Sequence, residues 1–219
     1  MAAYIFNRAI QHASRGTQPQ NDDADIKNGL YWTQLRKVDS DLVIMHMSLP
    51  QNLKLPRNFR SQNAIFVNIM VHTATICLLR SAIWKCQQLM YPQATALQYK
   101  ARLLPAAQEI TNAVRLSLDL QALTQNPLVL FSIYIAALVF LDDVIADDTA
   151  TESQASLDVL LHIMVNVGDT HPVAGSMALE LSREMEKGGV PSSAIQKVRI
   201  ITEPHLTSGI CMAIANLIV

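Results

Sequence analysis

Glycine, aromatic residues and charge are all scarce in this sequence. Of its 219 residues only 7 are glycine, 5% are aromatic and 16% are charged. Few glycines and no run of strict apolar–polar alternation exclude a sheet-rich fold strung on tight turns. Cations and anions nearly balance, with a formal net charge of −1 and no Lys/Arg cluster. The chain therefore lacks the electrostatic footprint of a nucleic-acid binder. Its three cysteines, Cys77, Cys86 and Cys211, show no C-x-x-C spacing. That leaves neither a disulfide framework nor a zinc site, and the thiols read as buried groups of a reducing compartment. The motifs G-x-S-x-G, H-E-x-x-H, G-x-G-x-x-G and the P-loop are absent, which removes the common hydrolase, metalloprotease and nucleotide-binding signatures.

Two apolar runs could be mistaken for membrane spans. "MAAYIFNRAIQHASRG" has no basic-then-apolar signal layout. The run from Pro127 to Leu141 has 15 residues without a charge, short of the roughly 20 that a membrane span needs. "NAIFVNIMVHTATICLLR" is broken by Asn68 and His72. Both stretches are expected to be buried helices of an all-α core, with no membrane partner.

What is present is apolar content and helical spacing. Half of the residues are hydrophobic, enough to bury a sizeable core. The spacing predicts a short helix over 2–14, closed by Gly16, then a polar loop over 17–25. Trp32, Leu35, Val38, Leu42 and Met45 step by three or four along the next helix, which Pro50 stops. "LPQNLKLPRNFR" reads as an extended connector. Ser61 starts the longest helix, running to about Met90, with Ile65, Ile69, His72, Ile76 and Leu79 in its stripe. His72 and His46 read as hydrogen-bonded core histidines. A helix over 94–120 turns Leu103, Ile110, Val114 and Leu118 inward, with Pro105 as a kink or break. Asn126–Pro127 opens another. Thr149 and Glu152 have capping-box spacing before "SLDVLLHIMV". Pro172 begins the most amphipathic helix, with Val173, Met177, Leu181 and Met185 as its stripe and Gly188–Gly189 as its end. The expected fold is an irregular all-α bundle of roughly eight or nine helices. Its divisions are 1–27 (short helix and polar loop), 28–190 (helical domain) and 191–219 (a poorly patterned apolar tail).

One stretch carries candidate chemistry. In "FLDDVIADDTATE", Asp142, Asp143 and Asp147 spell D-D-x-x-x-D. On a helix Asp143 and Asp147 are i, i+4 neighbours, while Asp142 lies about 100° round. Carboxylates so spaced can hold Mg²⁺ against a diphosphate, as in enzymes of the terpene-synthase type. Such enzymes also need a second ligand set, which Asn166, Asp169, Thr170 and Ser176 do not reproduce. The other reading is a solvated helix–loop–helix junction. Asp142 and Asp143 then follow one helix, while Asp147 and Asp148 precede the next, where its dipole favours negative charge.

The order of the remaining motifs is the more informative signal. "LYWTQLRKVDSDLVIMHMSLPQNLKLP" holds Trp32, Leu35, Asp39, Leu42, Leu49–Pro50, Leu53 and Leu55–Pro56. After it come His72, Thr73, Ala74, Ile76, Cys77 and Leu78, then Ala106, Ala107 and Ile110. Pro127, Tyr134, Ala136 and Ala137 follow, and then Ser156, Leu157 and Leu160. This series resembles the second part of the middle homology region, the regulatory region, of fungal zinc-cluster (Zn₂Cys₆) transcription factors, over about residues 28–188. The sequence departs from the family at Leu79, where a histidine is usual, and it has no six-cysteine cluster, basic linker or coiled-coil segment. The resemblance implies a nuclear, non-catalytic regulatory domain controlling RNA polymerase II transcription, without nucleic-acid contact or a cofactor of its own. Its expected partners are other proteins, the N-terminal half of the same domain, or a small-molecule effector. The chain is expected to be the C-terminal part of such a region, the apolar ending "NLIV" fitting a truncation or a partner surface. Two alternatives stand beside this: a Mg²⁺-dependent enzyme acting on a prenyl diphosphate through Asp142, Asp143 and Asp147, and a stand-alone helical binding module.

Overall fold

A computed structural model describes residues 2–15, 25–192 and 198. Among them the regular elements are helical throughout. They are α1 (Ala2–Arg15), α2 (Leu30–Met47), a 3-10 turn (Gln51–Leu53), α3 (Gln62–Gln88), α4 (Gln93–Leu116), α5 (Leu120–Thr124), α6 (Pro127–Ala146), α7 (Thr151–Gly168) and α8 (Pro172–Lys187). The chain is thus an irregular all-α bundle.

Local chemistry sets most of the boundaries. The Ser61 hydroxyl accepts from the Ala64 amide at 3.3 Å and caps α3. Asn126 accepts from the Leu128 amide at 3.0 Å, and Pro127 takes the first turn of α6, where its missing N–H costs nothing. Gly188 caps α8, and Gly189 follows at φ +69°, a conformation that glycine adopts freely.

Four expectations need correction. The helix placed over 94–120 ends at Leu116. Ser117 turns extended, and Asp119 caps the separate short helix α5 by accepting from the Ala122 amide at 2.9 Å. Leu118, in that break, is 71% exposed rather than inward. Of the kink or break expected at Pro105, the break does not occur: α4 runs through the proline, which is exposed. Thr149 does not cap α7: its hydroxyl donates to Asp147 at 2.6 Å, and Ala150 stands at the cap position without a side-chain bond. The connector after α2 is compact rather than extended. It forms the 3-10 turn, a cis Leu55–Pro56 bond and a bend, with Asn58 Nδ2 donating to the carbonyls of Gln51 and Lys54 at 2.6 and 2.9 Å. The polar loop over 17–25, apart from Asp25, and the tail beyond Ser192, apart from Val198, lie outside the described residues.

The helix α3 is the hub. Ile65, Ile69, Ile76, Leu79 and Ile83 face a large core shared with α4, α6, α7 and α8. On its other side Val71, Ala74, Leu78, Ala82 and Cys86 meet a smaller core built by α1 and α2. A helix apolar on two faces must be covered on both, so α3 lies between two layers. Trp32 is fully buried in the smaller core, with Tyr31, Tyr91 and Tyr99 around it at ring-centroid distances of 5.0, 5.7 and 6.5 Å. Asp39 of α2 takes both guanidinium nitrogens of Arg102 of α4, at 2.7 and 2.8 Å, which ties the smaller layer to the larger. At the far end α7 and α8 cross closely: a Cβ on Gly168 would sit 3.0 Å from the Gly175 Cα.

Candidate functional site

The acidic stretch is split between a helix and its end. Asp142 and Asp143 lie inside the last turns of α6, not after it, and Asp147 caps that helix. Negative charge there opposes the helix dipole, and each group meets that cost differently. Asp142 pairs with Arg80 of α3 at 3.0 Å and is itself 65% exposed. Asp143, half-buried, accepts from the Ser153 hydroxyl of α7 at 2.5 Å. Asp147 accepts from the amide and hydroxyl of Thr149, which hold its carboxyl below the usual range. The three carboxylates therefore face three different partners. Among the described residues no three His, Cys, Asp or Glu side chains are placed to share a metal ion. Their spacing in the sequence is real, but the junction uses Asp142 and Asp143 to fasten α6 to α3 and α7, and Asp147 to hold the loop at Thr149.

Clefts lined by the described residues include two on the bundle. The first, of about 460 Å³, lies between α3, α4 and α6. Trp84, Leu103 and Val139 give it an apolar wall, while Arg80, Lys100 and Asp143 stand at its polar side. Its Arg80–Asp142 pair already satisfies one cation and one anion. The second, of about 490 Å³, lies where α2, the connector, α3 and α4 meet. His46 and His72 line it from two helices, their rings 5.1 Å apart at 68°. Glu109, Asn112 and Arg115 face it from α4. Both volumes fall in the range of small-molecule sites.

Compared with protein-family models, curated proteins and solved structures, the chain gives no match.

The second cleft is the feature that sequence reasoning missed. His46 and His72 were each placed among core residues, but both are only half-buried and meet at the cleft wall. His46 sits one step past buried Met45, whereas His72 stands in the row of α3 between Ile69 and Ile76, and their meeting becomes legible only once the crossing of α2 over α3 is known. Burial still acts on His72. It holds the imidazole down at about 4, with His46 beside it adding a smaller like-charge effect. Cys77, packed against the large core, has its thiol pushed up to about 12 by desolvation, so it is not a nucleophile at neutral pH. Cys86 is buried and shifted in the same direction, and both are free thiols. Cys211 lies outside the described residues.

Proposed function

We propose that this chain is a regulatory module of a fungal-type zinc-cluster transcription factor. It acts in the nucleus on RNA polymerase II transcription through protein or small-molecule contacts, without catalysis and without touching DNA itself. One observation carries the reading: the residues of the ordered motif series are those on which the bundle is packed. Trp32, Leu35 and Leu42 are buried in the smaller core, and Asp39 holds Arg102. Thr73, Ala74, Ile76 and Leu78 are buried along α3. Ala106, Ala107 and Ile110, then Tyr134, Ala136 and Ala137, then Leu157 and Leu160 line the large core. Pro127 opens α6, as the series implies for its fourth helix. The members fall in the two cores that α3 joins, so the order of the motifs and the packing of the bundle are consistent with each other. Two clefts of ligand size suit a module that responds to an effector.

The test is a fusion of the chain to an unrelated DNA-binding domain, read on a reporter gene in a fungal host. The fusion should change transcription several-fold relative to the DNA-binding domain alone. Trp32→Ala should abolish that change by removing the centre of the smaller core. A fusion that accumulates folded in the nucleus and leaves the reporter at baseline would sink the regulatory reading. Capture of a partner without any change in transcription would favour a stand-alone binding module instead.

A further inference from the structure

The geometry points to the cleft between α2, α3 and α4 as a binding site for a small ω-amino acid, a molecule with an ammonium and a carboxylate separated by several carbons. Four ionisable side chains line this cleft: His46, His72, Glu109 and Arg115. Each has its polar atoms without a hydrogen bond or ion pair to another described residue; the histidines meet only as rings. The amides in the same wall are engaged instead. Asn68 Nδ2 donates to the Leu53 and Ala64 carbonyls, both at 2.8 Å, and Asn112 accepts from Gln108 at 3.2 Å. The structure thus uses the neutral polar groups for itself and leaves the charged ones open. In the first cleft Arg80 and Asp142 pair with each other and Asp143 accepts from Ser153, which leaves Lys100 as a cation with no anion open beside it.

Spacing selects the ligand. Glu109 and Arg115 are six residues apart on α4, which separates their backbones by roughly 9 Å along the helix. They also lie about 120° apart round it, so a lone anion at Arg115 leaves Glu109 unmatched, and a lone cation at Glu109 leaves Arg115 unmatched. A molecule carrying both charges several ångströms apart satisfies both, its carboxylate on Arg115 and its ammonium on Glu109. The methylenes between them lie against Leu55, Pro56 and Leu116. His72, uncharged at neutral pH, offers one ring nitrogen as donor and one as acceptor without disturbing that charge balance. A cleft of about 490 Å³ holds such a molecule with room for its hydration at the mouth. This deepens the regulatory reading, because the ligand is then the effector of that module.

The experiment is a titration of the chain with 6-aminohexanoate, followed by NMR of the histidine ring C–H signals. The signals of His46 and His72 are assigned with His46→Gln and His72→Gln. Both should shift saturably. Hexanoate, hexylamine and glycine at the same ionic strength should each bind at least about tenfold more weakly, a loss of roughly 1.4 kcal/mol. Glu109→Gln and Arg115→Gln, both at exposed positions, should each weaken 6-aminohexanoate by a similar factor while leaving the circular dichroism spectrum unchanged. The ligand series needs no variant, so a poorly folding substitution does not obscure the answer. Absence of a saturable shift overturns the proposal, as does hexanoate or hexylamine binding as well as the zwitterion. Binding is read on the chain alone. A silent reporter with intact binding therefore removes only the regulatory reading, and a responsive reporter without binding removes only this ligand.

Discussion

His72 shows how one residue can be chosen for two reasons at once. By spacing it falls between Ile69 and Ile76 in the apolar row of α3, and yet it forms part of a cleft wall. Its folded imidazole is held at about 4 against an ordinary 6.5, chiefly by burial and secondly by His46. The sign of the consequence follows from proton uptake. Between pH 6.5 and 4 the unfolded chain binds a proton that the folded chain refuses, so stability is full above pH 6.5 and is lost as pH falls toward 4. After allowance for the ring's remaining solvent contact, the loss is about 2 kcal/mol. His72→Gln removes this titration. Urea unfolding at intervals from pH 7.5 to 4 should therefore give a shallower decline for the variant than for the parent. Parallel declines would mean that His72 is solvated enough to titrate normally.

At the scale of elements, the contact between α7 and α8 rests on two glycines that are not equivalent. A Cβ on Gly168 would lie 3.0 Å from the Cα and 3.2 Å from the N of Gly175. Those are backbone atoms and cannot rotate aside, so Gly168→Ala requires the helices to give by a few tenths of an ångström and is expected to cost about 1–3 kcal/mol. A Cβ on Gly175 finds its nearest neighbour at 3.6 Å, an ordinary contact. Gly175→Ala also gains helix propensity of up to about 1 kcal/mol, so it should be neutral or stabilising. Denaturant midpoints of the two variants should move in opposite directions or, at the least, by clearly different amounts. The same helices show which elements were readable from sequence. Ser61, Asn126–Pro127, Pro172 and Gly188–Gly189 mark ends by local chemistry, and the ends fall there. Thr149 misled because Asp147, two residues earlier, competes for its hydroxyl and wins at 2.6 Å. The break at Ser117–Asp119 was hidden because Leu118 continues the apolar spacing, although nothing packs on it. The site was less legible than the elements. The D-D-x-x-x-D spacing was visible, but Arg80 and Ser153, which claim two of its carboxylates, come from α3 and α7. The His46–His72 meeting depends on how α2 crosses α3, which helical periodicity does not encode.

For the whole molecule, the division of the interior into two cores around α3 governs how it should come apart. Two helices, Gln62–Gln88 and Pro127–Ala146, are apolar enough by length and composition to cross a membrane, yet most of each lies inside the bundle. Their apolar surface is what the other layers exist to cover. The large core draws on α3, α4, α6, α7 and α8, whereas the smaller one rests on Trp32 and its neighbours in α1, α2 and one side of α3. Opening the smaller layer exposes that side of α3 with Tyr91 and Tyr99 and breaks the Asp39–Arg102 pair, while unfolding of the layer itself also breaks Arg8–Asp41. Surface-accessible pairs of this kind hold by about 1 kcal/mol or less each. The layer should therefore open before the molecule unfolds as a whole. Native-state hydrogen exchange, followed by mass spectrometry in low denaturant, should show amides of α1 and α2 exchanging together at a lower free energy than those of α3 and α6. Trp32→Ala should lower the first value by about 3–5 kcal/mol while changing exchange in α6 little. If α1, α2 and α6 instead exchange as one unit, the aromatic core around Trp32 is coupled to the large core through the whole of α3. A signal entering at the cleft beside His46 would then be felt across the bundle rather than in one layer.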